Sequence, residues 1–169
     1  MAWWITVYCK RDCSALQPSD LAHGIRGGDP EALAGVDYDS LAEDCGVPES
    51  LVPPALEHLR VTDDFEVRYQ QDPNARPIIV HLWMQPERVR EEVGESYEVR
   101  SPPKGAAPFL ERCQAVVGIE LGFSMAGTMG VVIAHEVARY LAQKYDGVIV
   151  DDDDRWEVVR DGELTALEG

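Results

Sequence analysis

Side chains alternate across residues 4–8, with Trp4, Thr6 and Tyr8 on one face and Ile5 and Val7 on the other, which predicts a strand covered at least partly on both faces. Ser19 and Asp20 are suited to capping a short helix through Leu21, Ala22 and Ile25, ended by Gly27 and Gly28. Asp29-Pro30 opens another helical turn, and residues 39–45 and 49–59 read as short helices separated by Gly46. Residues 65–69 alternate apolar and charged positions, and Asp72-Pro73-Asn74 then turns the chain into an apolar run at 77–84, the clearest hairpin in the sequence.

Pro86 opens a charged helix through Glu92, and residues 101–108, with three prolines and a glycine, read as a loop with the length of a recognition loop. An apolar strand at 114–121 leads to the most convincing helix, 128–144. There Ala134, Val137, Ala138 and Leu141 share one face, while His135, Arg139 and Gln143 occupy the opposite, polar side. Gly147 stops that helix. Strands at 148–150 and 156–159 follow around an aspartate run, and Asp161-Gly162 makes the last turn.

These elements predict one α+β domain spanning residues 1–169: a mostly antiparallel sheet with helices packed on one face. The order contains a β-α-β-β-α-β unit of the ferredoxin-like type, with a C-terminal helix and hairpin appended. A chain of 169 residues, 45% hydrophobic, is long enough to bury a core without staples. The basic start and apolar run of a signal peptide are not seen, and no apolar stretch approaches the length that spans a bilayer, so a cytoplasmic location with Cys9, Cys13, Cys45 and Cys113 as reduced thiols is expected.

Charge sharpens the picture. The formal net charge is −16, with no net charge between residues 101 and 150 and −6 between 151 and 169. Acids cluster at Asp37, Asp39, Glu43 and Asp44, at Asp63, Asp64 and Glu66, and at Asp151, Asp152, Asp153 and Asp154. Such a surface repels phosphate backbones and favours a basic partner, although acidity also serves solubility alone.

Catalytic patterns are incomplete. His135-Glu136 begins like H-E-x-x-H but meets Arg139 where the second ligand belongs, so both residues read as exposed polar positions on an amphipathic helix. Cys9 and Cys13 form a C-x3-C pair without a second close pair of ligands, and the aspartate run lacks the spacing of an EF-hand, so no metal and no cofactor are expected. The segment around Ser124 lacks the last glycine of G-x-S-x-G. A Ser or Cys nucleophile (Ser124, Cys9 or Cys113) with a histidine, in a small hydrolase or transferase, stays open as an alternative, as does a structural or regulatory subunit of an unrelated complex. His81, beside Trp83, reads as a satisfied core or interface histidine. Trp3 and Trp4 divide between core and sheet rim, where an exposed indole would serve as a binding anchor.

The C-terminal segment VVIAHEVARYLAQKYDGVIVDDDDRW, residues 131–156, resembles the ending shared by several bacterial immunity-type proteins, which neutralise toxins encoded beside them by direct binding. WITVYCK at 4–10 and AGVDYDSLAED at 34–44 are similar to uncharacterised myxobacterial proteins of this sort. The resemblance implies a small, acidic, cytoplasmic, cofactor-free, non-enzymatic protein whose partner is a toxin, and charge makes that a basic toxin domain. It transfers no functional residues. Charge alone selects Asp37, Asp39, Glu43 and Asp44 as the first partner-binding group and Asp151, Asp152, Asp153 and Asp154 as the second.

Overall fold

The computed structural model of the chain describes residues 2–26, 59–70, 72–122 and 129–168. Among them eight strands form one sheet: β1 (Ala2–Cys9), β2 (Arg60–Val61), β3 (Glu66–Arg68), β4 (Ile78–Trp83), β5 (Ala115–Gly122), β6 (Gly147–Asp151), β7 (Trp156–Arg160) and β8 (Glu163–Ala166). Their order is β2-β3-β4-β5-β1-β6-β7-β8, and every neighbouring pair is antiparallel. The described helices are α1 (Pro18–Arg26), α2 (Pro86–Val99), α3 (Ala107–Leu110) and α4 (Met129–Tyr145). The expected α+β class and antiparallel sheet are what the chain adopts.

A ferredoxin-like strand order lies at the centre, β4-β5-β1-β6, built by β1-α1-β4-β5-α4-β6. Its second helix is α4, the one the sequence pattern had placed after the unit, whereas α2 is inserted between the two central hairpin strands β4 and β5. The 65–84 hairpin forms as expected, with Glu66 opposite Ile79 and Val67 opposite Ile78. It contributes β3 and β4, and β2 extends the sheet beyond it. Asp161 and Gly162 both have positive φ, 53° and 83°, which joins β7 to β8 through a two-residue turn whose twist matches the strands.

Helices cover both faces, not one. Ile5, Val7 and Cys9 of β1 pack with Leu21 and Ile25 of α1 and with Val137, Ala138 and Leu141 of α4. On the other face Tyr8, Val116, Val148 and Val150 pack with Val89 of α2, Ala106 and Leu110. The opposite placement of α2 follows from the two-sided apolar character of β1, β5 and β6, whose period-2 alternation leaves hydrophobic side chains on both surfaces for helices to cover. α1 and α4 meet where Gly24 faces the Tyr140 ring: a Cβ on Gly24 would lie 2.1 Å from Tyr140 Cε2.

Two other expectations are corrected. Residues 101–108 are not all loop, because Lys104–Ala106 forms a 3₁₀ turn leading into α3, with Pro108 in the first turn where its missing N–H is tolerated. The polar residues on α4 are not an exposed face. His135, Glu136 and Arg139 are all buried, Glu136 completely. Arg139 grips the carboxylate with two parallel hydrogen bonds, Nε to Oε2 at 2.7 Å and an Nη to Oε1, and donates to Gln143 and to the Gly162 carbonyl. The turn between β7 and β8 is thereby tied to α4. Glycine 27 through residue 58, including the helices expected near residues 30, 39–45 and 49–58, and the segment around Ser124 lie outside the described residues.

Candidate functional site

On the α2 face, the sheet is open at the end that α2 does not cover. Antiparallel register places Trp4, Glu120 and Ile79 in one row across β1, β5 and β4, and Thr6, Gly118 and His81 in the next. Gly118 leaves room above the central strand, and the neighbouring indoles fill it. A Cβ there would lie 2.7 Å from Trp83 Cη2 and 3.1 Å from Trp4 Cζ3. Trp4 and Trp83 stack with centroids 6.4 Å apart, and the His81 ring lies 5.3 Å from Trp4 and 5.7 Å from Trp83. All three residues remain partly exposed.

Glu120 orients this cluster. Its Oε2 lies 2.9 Å from His81 Nε2, and its Oε1 accepts from Arg76 at 2.9 Å. In the tautomer whose Nε2–H donates a hydrogen bond to Glu120, Nδ1 is left as an acceptor. Such a pair can orient a base, and it can equally hold a ring flat as part of a binding platform.

Between this platform and α2 runs a groove of about 330 Å³, walled by Trp4, Thr6, Tyr8 and Trp83 on the sheet side and by Arg88, Glu92, Glu95, Ser96, Val99 and Arg100 on the helix side, with Asp152 at its end. The Arg88 guanidinium lies over the Trp83 ring, 5.2 Å from its centroid, and pairs with Glu91 and Glu92. Burial raises the Glu92 carboxyl above the usual range, offset in part by Arg88. Tyr8 is pushed up to about 12, chiefly by burial, with the Ser96 hydroxyl beside it and Arg100 opposing the shift. Ser96 Oγ is buried without a hydrogen bond of normal geometry. The Glu95 carboxylate is exposed and makes no ion pair among the described residues.

Arg100, at the C-terminal end of α2, fastens the groove to the aspartate run. It donates to the Asp151 carbonyl at 2.6 Å and to Asp154 Oδ1 at 3.0 Å, and reaches Asp152 Oδ1 at 3.4 Å. Asp152 Oδ2 also accepts from the Trp4 backbone N–H at 2.8 Å. Asp151 is buried and caps the turn, its Oδ1 accepting from the N–H groups of Asp153 and Arg155 and its Oδ2 from the Arg155 side chain. Burial, opposed by those hydrogen bonds, raises its carboxyl. Asp153 pairs with Arg155. The four aspartates are thus brought together in an arginine-clamped turn beside the groove. The other charge-selected group, Asp37, Asp39, Glu43 and Asp44, lies outside the described residues.

Comparison of the chain with protein-family models, with curated proteins and with solved structures finds no match. The site therefore stands on its own geometry.

Two of the thiols sit in surroundings that oppose ionisation. Cys9, Cys13 and Cys113 are unpaired with one another as disulfides. Cys9 is raised well above the ordinary thiol range, first by its hydrogen bond with Cys13 and then by burial, and Cys113 is pushed up to about 11 by burial. Both stay protonated near neutral pH, where a reactive cysteine needs its thiolate. Among the described residues no three His, Cys, Asp or Glu side chains converge in a manner that could hold a metal ion, and no helix is long and apolar enough to cross a membrane.

Sequence reasoning divided Trp3 and Trp4 between core and sheet rim without saying which was which, and read His81 as a satisfied core or interface histidine; Trp3 packs against the core and Trp4 lines the groove. That reasoning missed the groove, since Trp4, Trp83 and Gly118 meet only through the register of three strands. The signal available was Trp83 two residues from His81 in an apolar strand.

Proposed function

We propose that the protein acts by binding a protein partner, a basic toxin domain of the kind implied by its resemblance to immunity-type proteins, and that the groove beside α2 anchors the complex. The observation that carries this reading is the partly exposed Trp4–His81–Trp83 stack at the mouth of a groove with unspent carboxylate charge. Indoles are the commonest anchors of protein interfaces because they desolvate a large area at a small cost in side-chain entropy. A net charge of −16 supplies long-range attraction to a basic surface, and carboxylates such as Glu95 supply the short-range pairing.

The test is association kinetics with the toxin domain encoded by a neighbouring reading frame, across a salt series. The association rate is expected to fall steeply as salt rises, because attraction is screened beyond about 8 Å at physiological ionic strength. Neutralising Asp37, Asp39, Glu43 and Asp44 together should mimic high salt. The same change at Asp152, Asp153 and Asp154 should act less on encounter, since those side chains already pair with Arg100 and Arg155. Trp83→Ala should speed dissociation by about thirtyfold, corresponding to about 2 kcal/mol at an interface anchor. A complex indifferent to salt and to Trp83, or the absence of any complex, would overturn the reading.

A further inference from the structure

We infer that the groove between α2 and the sheet receives a cationic side chain, arginine or lysine, from an extended segment of the partner, an inference that rests on the protein-binding reading above. The first argument is charge. Glu92, Glu95 and Asp152 line the groove against Arg88 and Arg100, and both arginines are committed, Arg88 to Glu91 and Glu92 and Arg100 to Asp152 and Asp154. Among the described residues Glu95 is left with an unpaired carboxylate at the rim. An incoming anion would face this carboxylate, whereas an incoming cation would complete the set.

The second argument is the wall. Arg88 already rests its guanidinium on the Trp83 ring, which demonstrates the chemistry the indoles offer. The Trp4 ring presents a similar π surface on the same platform. An aliphatic stem lying along these rings with its charged head toward Glu95 matches how long basic side chains divide between apolar and polar surroundings.

The third argument is size. The volume, about 330 Å³, suits one long side chain with a short stretch of backbone and is too small for a folded element.

The experiment is an NMR titration of the 15N-labelled full chain, following the indole N–H signals of Trp4 and Trp83. Three peptides serve as probes, acetyl-Gly-X-Gly-X-Gly-amide with X as arginine, lysine or citrulline. The arginine and lysine peptides are expected to shift both signals saturably with Kd on the order of 1 mM, and the uncharged citrulline peptide should bind at least tenfold more weakly. Glu95→Gln should weaken the arginine peptide about threefold, the scale of one exposed ion pair, and Glu95→Arg more than tenfold. Equal binding of the citrulline peptide, or shifts unaffected by either Glu95 variant, would overturn the inference. If Glu95→Arg leaves toxin capture intact while the peptides fail to bind, the protein-binding reading survives and the groove assignment falls; if toxin capture is also absent in the parent protein, both fall.

Discussion

Arg139→Met is expected to lower folding stability by about 3–5 kcal/mol, because it strips the paired cation from a fully buried carboxylate. Glu136 has no exposed surface, and Arg139 meets both of its oxygens. The pair is two sides of one interaction, so the double variant Glu136→Leu with Arg139→Met should recover most of the loss: an apolar pair needs no compensating charge. Chemical denaturation of the two single variants and the double measures this directly. A single-variant loss below about 1 kcal/mol would mean that water reaches Glu136 when Arg139 is gone. The guanidinium also donates to the Gly162 carbonyl, so the same substitution should loosen the turn between β7 and β8, seen as faster amide exchange in those strands than in β1 or β5.

His135, one residue earlier on α4, should make the protein acid-sensitive over a defined range. Its ring is buried, lies against Trp3 at 5.8 Å, and its pKa falls to about 4, first through burial and then through the positive charge of Arg155. In the unfolded chain a histidine titrates near 6.5. Between those values the unfolded state binds a proton that the folded state refuses. Stability is therefore complete above about pH 6.5 and declines as pH falls toward 4, by about 3 kcal/mol in total for this one group. Asp151, Glu92 and Glu157, each raised by burial, contribute with the opposite sign at acid pH, so the decisive measurement is a difference. Unfolding free energies at pH 7 and pH 5 should drop more for the parent protein than for His135→Gln. Equal slopes would show that the ring is solvated.

How legible this was in the sequence depended on whether the signal was local. β1 was readable because Trp4, Thr6 and Tyr8 alternate with Ile5 and Val7 between faces, and the 65–84 hairpin because Asp72-Pro73-Asn74 breaks the pattern at one place. The last hairpin turn was readable because Asp161-Gly162 favours positive φ at both positions. β2 is two residues long and carries no periodicity that could announce it.

Which face a helix covers is harder. Val89 and Ser96 mark the buried side of α2 but do not say which sheet surface receives it. On α4, a polar stripe indicated solvent: the i, i+3 spacing of Glu136 and Arg139 allows a pair, but nothing along one helix reveals that the β7–β8 turn closes over it. The candidate site was hidden for a similar reason: its platform uses one residue from β1, two from β4 and an empty position on β5. No spacing within a single segment encodes that meeting; cross-strand register does.

That empty position gives the site an unusual sort of master key. At Gly118 the smallest possible addition, one methyl group, competes for space with two indoles at once. The residue itself need never touch a partner, yet it determines whether the rings can lie where a partner would find them. A neutral change beneath the platform could therefore silence recognition while preserving every charge and every contacting side chain, separating the shape of the surface from its chemistry.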